Sequence, residues 1–366
     1  MKFVLMSLVL NTPNAITGET FTTQQKYRNV LKQAELAEQL GFDAYGVGER
    51  HSAPFLASAP PVLLTAIAAR TSRIRLLTTV TVLSVLDPVR VAEDYATLDH
   101  LSGGRLELII GKGNDASHYP LFGVNVEEQW QSLEERYELL KRLWQEENVT
   151  WQGQYRAPLQ NVTTQPRPFQ KKIPIWHGSA SSILSTELAA KHGEPIFSSN
   201  TIHRQSKYKA LIEHYRERLE FYGHDPSKAI IGAGSGGSIY LGRTKEEAIK
   251  RFRPYYDLAS KRPRAAHDVS PFADLEDNIE NGPILIGSPE SIIEKIASYR
   301  AVYGNQVLSV SVDGLTQSEQ LEQAEWFARE VIPVLRSEFP NDVWNQPGET
   351  VEPRVSETAA IAVAAG

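Results

Sequence analysis

The sequence predicts an α/β protein folded as a closed (β/α)₈ TIM barrel with insertions. Two observations lead to this prediction. The chain has 366 residues, which suits one large barrel domain with a sizeable core. Along it, apolar strand-like runs alternate eight times with segments of helical periodicity. Strands that are apolar on both faces and separated by helices are typical of a parallel sheet, and eight such units favour a closed barrel over an open sheet.

Each predicted strand is a short apolar run, and each predicted helix repeats its apolar residues every three or four positions. The strands are FVLMSLV at 3–9, DAYGVGE at 43–49, IRLLTTVTVL at 74–83, RLELIIG at 105–111, IPIWHG at 173–178, PIFSSN at 195–200, IIGAGSGGSIYL at 230–241 and QVLSVSVDG at 306–314. The helices are 27–40, which Gly41 ends as a left-handed cap, and those around 60–72, 88–101, 127–147, 181–192, 204–222, 244–256, 288–303 and 318–337.

Two stretches fall outside the repeat and are predicted as insertions in a single domain that spans residues 1–340. Residues 148–172 contain three prolines and no helical period. Residues 257–283 form a long connection that is too polar to pack as core, and loops of that length are often lids. Residues 341–366 are rich in proline, glutamate and alanine and are expected to form a disordered tail.

The composition narrows the choice of ligand. The chain has no cysteine, which excludes disulfides and Cys-ligated zinc and fits a reducing cytoplasm, and no motif indicates a metal. A net charge of −6 without a long basic cluster argues against nucleic acid or an anionic membrane as a partner. No run approaches the ~20 apolar residues of a membrane span, and the first strand lacks the cleavage site of a signal peptide. A small-molecule ligand is therefore expected.

Barrel enzymes carry their chemistry at the carboxyl ends of the strands, and three predicted strands end in polar motifs. These motifs are GERH at 48–51, GKGN at 111–114 and HGSASS at 177–182. The third motif begins a helix, whose free backbone N–H groups, hydroxyls and dipole suit a phosphate, although N-capping alone would also explain it. Lys112, one strand away, adds a cation between two glycines that permit close approach. A phosphate site is therefore predicted.

Other interpretations of these strand ends are weaker. A Schiff-base role for Lys112 would call for an apolar pocket rather than one lined by serines. A glycosidase needs two carboxylates a few ångströms apart, whereas Glu49 and Asp313 come from strands 2 and 8. GAGSGG at 232–237 matches a dinucleotide motif, but a strand rather than a helix follows it. A lone histidine is usually structural, yet beside Glu49 and Arg50 a catalytic role for His51 is as well supported.

Four longer segments follow one another over roughly residues 1–338: QAELAEQLGFDAYGVGERH, LDPVRVAEDYATLDHLSGGRLELIIGKGN, IPIWHGSASS and GSPESIIEKIASY. Together and in this order, they resemble the bacterial luciferase-like flavin monooxygenase family. The resemblance implies a barrel that binds reduced FMN, or in some branches a deazaflavin, at its carboxyl face. The cofactor contacts that it implies around the phosphate are Lys112, Gly178, Ser179, Ala180 and Ser182.

The resemblance also implies a non-proline cis peptide at Thr79–Val80, beneath the flavin ring. At the end of strand 2 the sequence departs from luciferase, which has Glu-His-His with the first histidine catalytic. Here the stretch is Glu49-Arg50-His51, so light emission is not implied. Where the family has a glutamate near the phosphate, this chain has Gly178.

The resulting prediction is a two-component monooxygenase that uses O₂ and reduced FMN from a separate NAD(P)H:flavin reductase to oxidise a small organic substrate. Arg50 and His51, beside Glu49, are the predicted catalytic residues. Deazaflavin-dependent hydride transfer and a non-catalytic flavin-binding partner subunit are the alternatives. The family further implies a dimer through helices 60–72 and 88–101. The connection at 257–283 is expected to close over the flavin, with Lys261, Arg262 and Arg264 toward the anionic cofactor.

Overall fold

The computed structural model describes residues 1–179, 182–198, 203–260 and 270–344, and all eight predicted strands are present in it. The strands are β1 Lys2–Ser7, β2 Ala44–Val47, β3 Arg75–Thr78, β4 Thr81–Val82, β5 Leu106–Gly111, β6 Val149–Trp151, β7 Leu159–Val162, β8 Ile175–Ser179, β9 Ile196–Ser198, β10 Ile231–Ser238, β11 Tyr240–Leu241, β12 Ile286–Gly287 and β13 Val307–Ser311.

The central sheet closes on itself, which confirms the predicted barrel. Its strand order is β3-β2-β1-β13-β10-β9-β8-β5, all pairs are parallel, and β3 pairs with β5 to complete the ring. The short strand β4 continues β3 and also pairs with β5. Packed side chains fill the interior, so a ligand has room only at the ends of the barrel. The interior cluster consists of Val4, Ala44, Leu77, Ile109, Trp176, Phe197 and Val307.

Helices surround the barrel close to where the sequence predicts them. They are α1 Thr23–Gln39, α2 Pro60–Ala68, α3 Pro88–Ser102, α4 His118–Leu121, α5 Gln129–Gln145, α6 Ile183–His192, α7 Gln205–Phe221, α8 Lys245–Ser260, α9 Leu275–Asn281, α10 Pro289–Tyr303, α11 Gln317–Glu330 and α12 Ile332–Glu338. The first helix begins four residues earlier than predicted, because Thr22 and Gln25 form a capping box. The last predicted helix is divided at Val331, just before Pro333, which has no N–H to donate.

The two predicted insertions differ in character. Residues 148–172 contain the antiparallel pair β6 and β7. In the connection at 257–283, α8 continues to Ser260, and α9 lies before β12. The expectation that this connection is too polar to pack as core is wrong for residues 270–283, because Phe272, Leu275 and Ile279 are buried.

Part of the connection and most of the tail lie outside the described residues. This applies to Lys261, Arg262 and Arg264 and to the chain from residue 345 onward. At the start of the tail, the Trp344 ring lies 6.3 Å from the ring of Trp176. Among the helices that the structure describes, none is both long and apolar enough to cross a membrane.

Candidate active site

Val80 follows the end of β3 and lies against the ends of β5 and β8 at the mouth of the barrel. The Thr79–Val80 peptide bond is cis, as the resemblance implies. The Val80 side chain lies against two glycines of the neighbouring strands. A Cβ on Gly178 would fall 2.6 Å from Val80 Cγ1, and one on Gly111 would fall 3.3 Å from Val80 Cγ2. Both glycines therefore make room for a side chain of this protein, and their strands meet at the cis peptide.

Glu49 links the end of β2 to this region. The Glu49 side chain is buried, its Oε1 lies 2.8 Å from His51 Nε2, and its Oε2 accepts a hydrogen bond from the Val82 backbone N–H at 3.0 Å. A carboxylate only accepts hydrogen bonds, so His51 Nε2 carries a proton and the imidazole orientation is fixed. No described residue forms a hydrogen bond with Nδ1 of His51, which leaves that nitrogen for proton exchange with a ligand.

Arg50 lies between these two residues and faces the loop that follows them. Its backbone N–H donates to the Ala57 carbonyl at 3.0 Å. Its guanidinium carbon lies 5.2 Å from the centre of the Phe55 ring. Arg50 is half-buried and follows the carboxyl end of β2.

Lys112 has the surroundings of an anion-binding cation. Its Nζ donates to the Gly113 carbonyl at 3.0 Å and lies 5.7 Å from the centre of the Trp130 ring. Burial lowers the pKa of Lys112. In the described parts of the chain, no carboxylate forms an ion pair with it. The Lys112 carbonyl accepts hydrogen bonds from Ser84 and Tyr119, at 2.9 and 2.7 Å, so the main chain here is held in place.

Ser179 and Ser182 lie on the strand and helix next to Lys112. The register pairs Ile110 with His177, which puts Lys112 and Ser179 two residues further on along adjacent strands. The Ser179 hydroxyl is buried; it accepts from the Ser185 hydroxyl at 2.7 Å and donates to the Ser182 carbonyl at 3.4 Å.

The Ser182 hydroxyl also faces its own helix. It is the N-cap of α6 and accepts from the Leu184 backbone N–H at 3.3 Å. Ile183 and Leu184 are exposed, so the first turn of the helix is accessible to a ligand. Ala180, the remaining predicted contact, lies outside the described residues.

His177, in the same motif, faces away from the mouth. Its Nε2 lies 2.9 Å from Glu194 Oε2, and the Tyr137 hydroxyl donates to the same oxygen. Burial alone would raise the pKa of Glu194, but these hydrogen bonds and the nearby Lys141 lower it to about 2. This network joins β8 to α5 and is structural.

Two residues near His51 were not predicted from the sequence. His118 and Asp115 follow the GKGN motif, and the His118 ring centre lies 5.1 Å from that of His51. His118 is only 1% exposed, and its Nε2 lies 3.1 Å from Asp115 Oδ2. The available signal was a D-x-x-H spacing in the loop after a strand that carries a ligand-binding motif.

A cavity of about 310 Å³ opens beside the ends of β1, β10 and β13. It lies across the mouth from Lys112, which follows β5. Its described lining is largely apolar and contains one carboxylate and no lysine or arginine. The aromatic lining residues are Phe252, Tyr255, Tyr256 and Phe272. The carboxylate, Asp313, is held by the Ser7 hydroxyl at 2.9 Å and the Leu8 N–H at 2.7 Å.

Comparison with known proteins identifies the family. Residues 1–306 match the model of the luciferase-like monooxygenases. The chain belongs to this family. Members of the luciferase-like family are flavin-dependent oxidoreductases.

Curated relatives of this luciferase-like chain include different branches. An uncharacterized protein, y4wF of Sinorhizobium fredii (strain NBRC 101917 / NGR234), is 35% identical over 46% of this chain and 49% of its own, so the chain spans about half the length of that relative. The 4-hydroxyprotoasukamycin monooxygenase of Streptomyces nodosus subsp. asukaensis is 25% identical over 83% of this chain and 85% of its own. An F420-dependent glucose-6-phosphate dehydrogenase of Kineococcus radiotolerans is 27% identical over 82% of this chain and 90% of its own.

Solved structures show the same fold. Monooxygenase RslO1 from Streptomyces bottropensis superposes with a TM-score of 0.80 and 25% identity, over 91% of this chain and 99% of that one. The oxygenating constituent of 3,6-diketocamphane monooxygenase from Pseudomonas putida, in complex with FMN, gives a TM-score of 0.72 and 20% identity. The superposition covers 91% of this chain and 98% of that one.

Proposed function

We propose that this protein is a two-component monooxygenase that takes reduced FMN from a separate NAD(P)H:flavin reductase and uses O₂ to oxidise a small organic substrate. The observation that carries the proposal is Lys112, a half-buried cation at the mouth of a flavin-enzyme barrel that forms no ion pair with a carboxylate of the described residues. Such a cation is suited to a phosphate, and the accessible first turn of α6 adds backbone donors beside it.

The residues present fit a flavin: Lys112 and the start of α6 would hold its phosphate, and Thr79 and Val80 would support its ring. When bound, reduced FMN would supply the activation of O₂. The protein would contribute binding, orientation and proton transfer. Glu49 holds the His51 imidazole through Nε2, so that Nδ1 exchanges a proton with the reacting oxygen. Arg50, close to the same mouth, would stabilise negative charge there.

Deazaflavin-dependent hydride transfer is the second candidate, because an F420-dependent dehydrogenase is among the relatives. The test is an anaerobic titration of the purified protein with reduced FMN, reduced riboflavin and reduced F420. Tighter binding of FMN than of the other two, followed by oxygen consumption when air is admitted, supports the proposal. Preference for F420 would overturn it, and flavin binding without oxygen consumption would favour a non-catalytic partner subunit.

The proposal includes a cytoplasmic homodimer. Helices α2 and α3 pack against each other and carry exposed apolar side chains, with Val62 at 71% exposure and Leu101 at 48%. These helices correspond to the surface that the family resemblance implies for dimerisation. Sedimentation of the purified protein tests this part.

We also propose that the substrate is uncharged and largely apolar and occupies the cavity beside β1, β10 and β13. The aromatic side chains of α8 can pack against a flat ring. Burying an anion near Asp313, without a cation in the described lining, would be unfavourable. A small and neutral organic molecule fits these conditions best.

Replacing Ala259 with phenylalanine is expected to fill this cavity and weaken binding of a neutral ring compound at least about tenfold, or ~1.4 kcal/mol. The probe is 2-naphthol, whose fluorescence reports binding, and 2-naphthoate is its anionic counterpart. Lys250→Phe, at an exposed position of the same helix, is the control. Equal binding of the two probes, or an Ala259→Phe variant that binds 2-naphthol normally, would contradict this assignment.

A further inference from the structure

Asp115 and His118 fasten the loop after β5 to the loop after β2. The Ser52 hydroxyl donates to Asp115 Oδ2 at 3.1 Å, and the His51 backbone N–H donates to His118 Nε2 at 3.3 Å. Asp115 is itself held by Ser117, whose N–H and hydroxyl donate to Oδ1 at 3.0 and 2.6 Å. The main chain at His51 and Ser52 is therefore positioned from another strand end.

The Nε2 atom of His118 has two neighbours but can serve only one of them. It lies 3.3 Å from the His51 N–H and 3.1 Å from Asp115 Oδ2. An imidazole nitrogen without a proton accepts, and one with a proton donates. Bare Nε2 accepts the His51 N–H and opposes the carboxylate, whereas protonated Nε2 donates to Asp115 and leaves the His51 N–H without this acceptor.

The charges around His118 favour its neutral form. Burial lowers the pKa of His118, and the charge of Arg50, together with that of His51 when it is protonated, acts in the same direction, while Asp115 opposes them. The carboxylate of Glu49 lies against His51, with Oε1 2.8 Å from His51 Nε2. His118 Nδ1 is buried and has no hydrogen-bond partner among the described residues. At neutral pH His118 is therefore uncharged and carries one ring proton, on either nitrogen. Only the tautomer with this proton on Nδ1 leaves Nε2 bare to accept the His51 N–H, and adding a second proton, on Nε2, then requires acid.

We propose that His118 is a positioning residue, which holds the main chain of His51 through bare Nε2 and releases it when Nε2 takes a proton. This inference rests on the proposed role of His51 in the reaction. The inference adds that His51 is correctly placed only while Nε2 of His118 carries no proton. The reaction would then lose efficiency in acid because His51 moves.

Two substitutions at position 118 distinguish the state with bare Nε2 from the state with protonated Nε2. Glutamine at 118 has an oxygen that accepts the His51 N–H and an N–H that donates to Asp115, so His118→Gln satisfies both neighbours at every pH. His118→Phe fills similar space and satisfies neither. Leu121→Ala serves as the control, because that side chain belongs to the same short helix but is 65% exposed.

The experiment follows the His51 backbone amide by NMR in protein labelled with ¹⁵N-histidine. The protein contains nine histidines, so its spectrum has few signals. In the wild type and in Leu121→Ala, the amide proton is expected to shift upfield as the pH falls and His118 becomes protonated. In His118→Gln the shift should not depend on pH, and in His118→Phe it should be upfield throughout.

A second measurement connects this placement to the reaction. Hydrogen peroxide release from the enzyme with reduced FMN in air should depend on pH in the wild type and much less in His118→Gln. A His51 amide that titrates alike in the wild type and His118→Gln would overturn the proposal, even if the phenylalanine variant does not fold. The NMR measurement needs no flavin, so failure of the proposed flavin chemistry would be distinguished from failure of this inference.

Discussion

Replacing Lys112 with methionine is expected to weaken the binding of reduced FMN by roughly 1.5–3 kcal/mol, the range for a hydrogen bond to a charged group. Methionine keeps an apolar stem beside Trp130 and removes only the charge. Riboflavin has the same ring but no phosphate, so its affinity should not change. The measurement is an anaerobic titration of wild type and variant with both reduced flavins.

The controls for this prediction separate charge from packing. Lys112→Arg keeps a cation and should retain most of the FMN affinity, and Lys32→Met removes an exposed charge elsewhere. Because burial lowers the pKa of Lys112, FMN affinity should decrease at high pH from a lower pH than an ordinary lysine would give. If Lys112→Met leaves the ratio of FMN to riboflavin affinities unchanged, the phosphate lies elsewhere.

The barrel could be predicted because its pattern is local and repeated. Each parallel strand is buried on both faces and so is a continuous apolar run, as in β5, where all six residues are buried. The sequence predicts the positions of the helices more accurately than the residues at which they begin and end. Thr22 and Gln25 extend α1 at its start, and Pro333 separates α11 from α12, although their periodicity is continuous. The connection at 257–283 looked polar because its few core residues, such as Phe272, are widely spaced.

The site was predictable only in part, because side-chain direction at a strand end depends on distant contacts. The sequence identified Ser179 and Ser182 but not that both hydroxyls bond within the start of α6. It identified the glycines around Lys112 as room for a ligand, whereas Gly111 makes room for Val80. His118 contacts His51 across 67 residues of sequence, and no local pattern indicates such a contact.

Replacing His51 with alanine should spare reduced-FMN affinity but cause hydrogen peroxide to accumulate in place of oxidised substrate. A group that exchanges a proton with the reacting oxygen is needed after binding, and such groups contribute about 10²–10⁴-fold to rate. The measured quantity is hydrogen peroxide formed per reduced FMN consumed, in the presence of a compound that lowers this ratio in the wild type. If His51→Ala forms no more hydrogen peroxide per reduced FMN than the wild type does, the role of this histidine is structural.

Glu49→Gln tests the same step without removing the imidazole. The single glutamine oxygen can still accept the Val82 N–H, and its amide N–H then faces His51 Nε2. That arrangement favours the imidazole tautomer with its proton on Nδ1, which reverses the donor and acceptor roles of the ring. The variant should therefore fold and bind reduced FMN as the wild type does, yet release hydrogen peroxide about as freely as His51→Ala. If Glu49→Gln couples normally while His51→Ala does not, His51 acts without a fixed tautomer and Glu49 serves only to hold β2 against the segment after the cis peptide.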